Sequence, residues 1–151
     1  MRIYRRFKYV ITGVVRMSKV IVIYDSQTGF TERMAKAVVK GVVETIDINV
    51  ELIKIGKPFS VTKLDSVDAI IIGSPTIYGN VTPGMRYFLE CVSAHKEAKR
   101  LKLSGKIGGV FGSYGWDGGW AIEKLKTDME TLGIKIVTPA VSLADGMGQQ
   151  D

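Results

Sequence analysis

Short runs of branched apolar residues alternate along this chain with longer stretches in which apolar residues recur every three or four positions. Residues 20–24 (V-I-V-I-Y) and 68–73 (D-A-I-I-I-G) are near-continuous apolar runs, the pattern of strands covered on both faces of a parallel sheet. Residues 49–54 and 106–111 predict two more strands, and residues 134–137 begin a fifth that bends at Pro139. Between the strands lie helical spacings. Met34, Val38 and Val42 mark an apolar stripe over about residues 31–44. Met85, Phe88, Leu89 and Val92 mark a second, and Ile122, Leu125, Met129 and Leu132 a third, closed by Gly133. Thr82 and Pro83 supply an N-cap and a first-turn proline for the second helix. Gly56, Lys57 and Pro58 break the chain, a short helical turn is expected around residues 62–64, and Ser74-Pro75 ends the third strand. Strands alternating with helices over one domain predict an α/β fold built on a parallel sheet.

The junction after the first strand carries the most chemistry. Ser26, Gln27, Thr28, Gly29 and Thr31 offer three hydroxyls, an amide and a flexible backbone immediately before a helix begins. The first turn of a helix leaves N–H groups unpaired and carries a partial positive charge, so this stretch is an anion site in outline. No lysine accompanies it, and the glycine spacing of a dinucleotide loop is missing, which disfavours nucleoside triphosphates and dinucleotides. Helix capping alone also accounts for these residue types.

Composition narrows the class. A length of 151 residues is one domain with room for a full core, and 46% apolar with 24% charged residues is ordinary for a globular protein. No apolar run approaches the roughly 20 residues of a membrane span, so a cytoplasmic protein is expected, with no membrane partner. One cysteine, Cys91, precludes an internal disulfide and a thiolate cluster, and one histidine, His95, leaves little for a metal site; none is expected. The net charge of +6 is unevenly spread, since Arg2, Arg5, Arg6, Lys8 and Arg16 contribute +5 ahead of Met17 and the remainder carries +1. Basic character therefore belongs to a tail rather than a binding face, and no nucleic-acid partner is expected. Residues 1–17 read as a basic N-terminal extension, with Met17 a second candidate start, and residues 18–151 as the folded domain.

In a sheet of this kind ligands lie beyond the carboxyl ends of the strands. Three loops end there: residues 26–31, S-P-T-I-Y-G-N after the third strand, and G-S-Y-G-W-D-G-G-W after the fourth. Tyr78 in the second, with Tyr114 and Trp116 in the third, are flat groups on flexible backbone, suited to stacking on a planar heterocycle. A phosphate site flanked by stacking loops describes a mononucleotide.

Taken together, D-S-Q-T-G-F-T-E, G-S-P-T-I-Y-G and F-G-S-Y-G-W-D-G resemble the flavodoxin-like family, most closely the flavodoxin domain of A-type (diiron) flavoproteins, over about residues 19–141. The resemblance implies a doubly wound five-stranded parallel sheet of order 2-1-3-4-5, here with the C-terminal helix missing. It also implies FMN, with Ser26, Gln27, Thr28, Gly29, Phe30 and Thr31 around the phosphate. Pro75, Thr76, Ile77, Tyr78 and Gly79 would line one side of the isoalloxazine, and Ser113, Tyr114, Gly115, Trp116, Asp117 and Gly118 the other. Asp117 near the ring would oppose its anionic reduced form. Electron shuttling between redox partner proteins is the leading expectation. The alternatives are an FMN-dependent NAD(P)H:quinone-type oxidoreductase and a binding or assembly subunit without flavin.

Other residues invite plainer readings. Cys91 is expected as a small core residue, His95 as exposed, and Trp120 as packed beneath the third loop. Lys96, Lys99, Arg100, Lys102 and Lys106 read as a solvated helix end. After Pro139, glycines at 146 and 148 and the lack of an apolar stripe argue against a fifth helix. One sheet face would then keep an apolar patch that either the tail (Ile3, Tyr4, Phe7, Tyr9, Val10, Ile11) or a second copy covers, and a homo-oligomer is the expectation.

Overall fold

The computed structural model describes residues 10–11, 14–15, 17–45 and 48–145. The first two strands, β1 (Val10–Ile11) and β2 (Val14–Val15), pair with each other in antiparallel register, Val10 against Val15 and Ile11 against Val14. The main sheet follows: β3 (Lys19–Tyr24), helix α1 (Phe30–Thr45), β4 (Asn49–Lys54), a 3₁₀ turn (Val61–Ser66), β5 (Ala69–Pro75), α2 (Pro83–Glu97), β6 (Ile107–Tyr114), α3 (Trp120–Thr131), β7 (Lys135–Ile136) and β8 (Val141–Ala144). All its pairings are parallel, in the order β4-β3-β5-β6-β7, which counted from β3 is 2-1-3-4-5. The fifth position is shared by two segments. Both β7 and β8 pair with β6, and the residues around Pro139 interrupt them.

Alternation along the strands sorts side chains to two faces. Ile21, Ile23, Ile70, Ile72 and Val110 meet Met85, Phe88 and Val92 of α2 and Ile122, Leu125 and Met129 of α3. Val20, Val22, Tyr24 and Phe111 meet Met34 and Ala35 of α1 on the other side. Each such aliphatic or aromatic side chain stabilises the fold by roughly 1.5–3 kcal/mol on burial. The helices press closely on the sheet. A Cβ on Gly112 would lie 2.1 Å from Ile122 Cδ1 and 2.2 Å from the Ser74 carbonyl oxygen, so only glycine fits beneath α3.

Among the described residues α1 is the only helix on its face, while α2 and α3 share the other. Register places Val141 opposite Phe111 and Leu143 opposite Ser113, on the α1 side, and both are about half exposed (52% and 50%). Ile107, on the same side of β6, is 43% exposed. The stretch beyond Pro139 thus forms a strand, not a helix, as far as Ala144; the glycines at 146 and 148, and the tail residues expected to give cover ahead of Val10, lie outside the described residues. Among the described residues no helix is long and apolar enough to cross a membrane.

Candidate functional site

The first loop is organised by Asp25. Its N–H donates to the Gly73 carbonyl of β5 at 3.0 Å, and its Oδ1 accepts the Ser26 N–H at 2.8 Å. Ser26 Oγ in turn accepts the N–H groups of Gly29 (3.1 Å) and Glu32 (3.3 Å). With both lone pairs engaged, the remaining capacity of that hydroxyl is its proton, the part an anion would take. Gly29 turns the chain into α1 with φ +92°, where a side chain would be strained. The first intrahelical bond runs from Arg33 N–H to the Gly29 carbonyl at 3.1 Å, so the N–H groups of Phe30 and Thr31 precede the ladder and have no carbonyl four residues back within the helix. Gln27 and Thr28 are exposed at the mouth. The Arg33 guanidinium lies 5.4 Å over the Phe30 ring. Thr31 points inward: it is 1% exposed and its hydroxyl sits 2.8 Å from Ser113 Oγ.

The second loop continues from Pro75, the last residue of β5, and makes a tight turn. Ile77 and Asn80 exchange N–H to carbonyl bonds of 2.7 and 3.0 Å, and the two residues between them, Tyr78 (φ +48°) and Gly79 (φ +74°), are both left-handed. A non-glycine residue in that conformation costs on the order of 1–3 kcal/mol. Tyr78 nevertheless occupies it with its side chain 92% exposed. Thr76 N–H donates to the Ser113 carbonyl at 2.8 Å. Thr82 caps α2, its Oγ1 accepting the Met85 N–H at 3.1 Å, while the same hydroxyl donates to Asp25 Oδ2.

In the third loop Tyr114 closes β6, Gly115 and Trp116 are exposed (Trp116 89%), and Gly118 and Gly119 are both left-handed ahead of α3. Asp117 Oδ2 accepts the Gly79 N–H at 3.3 Å. The three loops are therefore tied pairwise: the first to the second through Asp25 and Thr82, the first to the third through Thr31 and Ser113, and the second to the third through Thr76–Ser113 and Gly79–Asp117. Two buried atoms within this arrangement, Thr76 Oγ1 and Asp117 Oδ1, have no hydrogen-bond partner. A buried polar atom left unpaired costs about 1–3 kcal/mol.

Sequence residues 26–31, 75–79 and 113–118 thus converge at one end of the sheet. Asp25 and Asn80 stand at the edges of the first and second loop motifs, where residue type alone gives them no role; the signal for Asp25 is its position, a carboxylate at the tip of a buried strand. Trp120 departs from expectation: it is 78% exposed, because it opens α3 on the side away from the buried Ala121, Ile122 and Leu125 stripe. His95 is half-buried, its Nδ1 donating to the Cys91 carbonyl one turn back at 2.8 Å. Lys106 is no solvated helix end, since its Nζ donates to the carbonyls of Asp65 (2.8 Å) and Val67 (2.6 Å).

One ionisable pair stands beside the first loop. Tyr24, the last residue of β3, donates its hydroxyl to Glu32 Oε1 at 2.7 Å. Burial, followed by that bond, pushes the Tyr24 phenol up from 10.0 to about 12. The same bond, with help from Lys36, holds the Glu32 carboxyl below its ordinary value. Farther along α2, the Tyr87 phenol is raised by its side-chain hydrogen bond to the half-buried Cys91.

The family model described as Flavodoxin matches residues 22–151. The type A flavoprotein fprA of Rhodobacter capsulatus is 30% identical over 125 residues, which cover 80% of this chain and 27% of that protein. The protein named NAD(P)H dehydrogenase (quinone) of Geotalea daltonii is 32% identical over 118 residues, covering 63% of this chain and 57% of its own length. Both relatives are thus longer than the part this chain spans. Among solved structures, oxidised flavodoxin 1 of Bacillus cereus superposes with a TM-score of 0.73 at 25% identity, covering 84% of each chain.

Proposed function

The chain belongs to the flavodoxin family, and we propose that residues 18–151 form a cytosolic module that binds one FMN at the tips of β3, β5 and β6 and relays electrons between protein partners. The observation that carries this reading is the pair of buried, unpartnered atoms, Thr76 Oγ1 and Asp117 Oδ1, in the two loops that would flank a planar ring. A hydroxyl and one carboxylate oxygen left without partners fit a heterocycle whose edge offers both donors and acceptors. The phosphate would be held by the Ser26 proton, the Thr28 hydroxyl, the N–H groups of Phe30 and Thr31, and the positive end of α1.

FMN supplies reversible one-electron and two-electron redox chemistry when bound. The chain's own part is positioning and charge. Tyr78 and Trp116, 92% and 89% exposed, stand where they can cover the ring and remain reachable from solvent, as a partner protein requires. The Asp117 carboxylate opposes negative charge on the ring; a unit charge at ~4 Å with an effective dielectric of ~20 interacts by about 4 kcal/mol. The fixed ties between loops keep these groups in place without reorganisation.

The second reading, an NAD(P)H:quinone-type oxidoreductase, is favoured by the name of the Geotalea daltonii relative. Mixing the FMN-loaded chain with NADPH and a quinone separates the two. A carrier shows no steady NADPH oxidation, yet once photoreduced it reduces a one-electron haem acceptor such as ferricytochrome c. Sustained NADPH turnover would replace the carrier reading with the enzymatic one. We also propose that a second copy covers the half-exposed Ile107, Val141 and Leu143 on the α1 face, leaving the loops free; a monomeric mass of 16.6 kDa by light scattering would exclude this.

A further inference from the structure

We propose that Tyr24 is a positioning residue for the phosphate site: its hydroxyl holds the Glu32 carboxylate away from the start of α1, keeping that helix end open to a phosphate monoester. The inference rests on the FMN reading and adds a residue outside the three loops. Gly29 is the N-cap of α1, because its carbonyl accepts the first helical bond from Arg33, so Glu32 stands three residues into the helix. A carboxylate at that position ordinarily folds back on the N-cap N–H and is drawn there by the helix dipole. In doing so it would set a negative charge beside the groups a phosphate needs. This chain arranges otherwise. The Gly29 N–H is taken by Ser26 Oγ at 3.1 Å, and the Glu32 carboxylate is drawn aside to Tyr24, 2.7 Å away.

Tyr24 is well suited to the task. It ends β3, is 4% exposed, and packs with Met34 and Ala35 under α1, so its ring is fixed and its hydroxyl has a set direction. Lys36 and Lys54 lie close enough to act on Glu32 electrostatically, Lys54 being the β4 residue paired with Tyr24. They give the carboxylate a second reason to stay on that side. Without the hydroxyl, an anionic side chain in the first turn of α1 is free to return to the helix end and compete with phosphate.

The test compares dissociation constants of FMN and riboflavin for the full-length apoprotein, read by quenching of flavin fluorescence. Riboflavin shares the ring and lacks the phosphate. Tyr24→Phe is expected to weaken FMN by roughly 3- to 30-fold, the range of charge effects at a helix end, and to leave riboflavin unchanged. Glu32→Gln alone should bind FMN at least as well as wild type, and Glu32→Gln added to Tyr24→Phe should restore FMN affinity. Equal losses for both flavins, no loss at all, or no rescue by Glu32→Gln would overturn the inference while leaving the cofactor reading intact. A wild-type chain that binds no FMN removes the cofactor reading and the inference with it.

Discussion

Replacing Thr31 by Val tests whether the buried hydroxyl pair is what holds the first loop against the third. The substitution exchanges a hydroxyl for a methyl of similar size at a position 1% exposed, so packing is nearly conserved and the loss is the 2.8 Å bond to Ser113 Oγ. Ser113 is also 1% exposed, which leaves its hydroxyl no water to turn to. An abandoned buried polar group costs about 1–3 kcal/mol. At roughly 2–4 °C per kcal/mol for a domain of this size, Thr31→Val should lower Tm by about 2–12 °C. Adding Ser113→Ala removes the stranded partner, so the double variant should recover much of the loss instead of doubling it. Scanning calorimetry of the apoprotein measures both. An unchanged Tm in Thr31→Val, or strictly additive losses in the double variant, would refute the idea that this pair clamps the loops.

Three further outcomes are expected. Thr28→Val, at an exposed position where nothing is lost from the core, should weaken FMN about 10- to 150-fold, since a hydrogen bond to a charged group contributes about 1.5–3 kcal/mol, and equilibrium titration reads this directly. Deleting residues 1–16 should leave FMN affinity intact, because β1 and β2 pair with each other rather than with the main sheet; loss of flavin from the shortened chain would count against that division. Tyr24 has a folded value above the ordinary 10.0, so its neutral form contributes stability that is complete below pH 10 and lost as pH rises through about 12. Denaturant midpoints followed through that window should fall more steeply for wild type than for Tyr24→Phe.

The order of the sheet was legible because each core strand is an unbroken apolar run with a helical period after it, and the caps at Thr82-Pro83 and Gly133 lie where the helices begin and end. Strand β4, Asn49–Lys54, has its expected limits. Boundaries at the strand tips were less legible. Residues 74 and 75 look like a terminator, yet β5 runs through Pro75, because a proline at the last position of a strand forfeits no ladder bond that the strand requires. The break near Pro139 reads as a bend and becomes two separate pairings with β6. In the candidate site, the loops could be named from their residue types, whereas the bonds between them could not. That Thr31 faces Ser113, or that Asp117 reaches the Gly79 N–H, depends on groups 82 and 38 residues apart. Trp120 misled for a related reason: a large aromatic beside a buried stripe is ambiguous until the helix phase is fixed, and its phase turns it outward.

The most direct test of the central claim is a calorimetric titration of the full-length apoprotein with FMN, FAD and riboflavin in parallel. The account predicts one FMN per chain, tighter than riboflavin because the α1 end binds the phosphate, and tighter than FAD because the first loop lacks the glycine spacing of a dinucleotide site. Preference for FAD, equal affinity for FMN and riboflavin, or no heat with any flavin would contradict it.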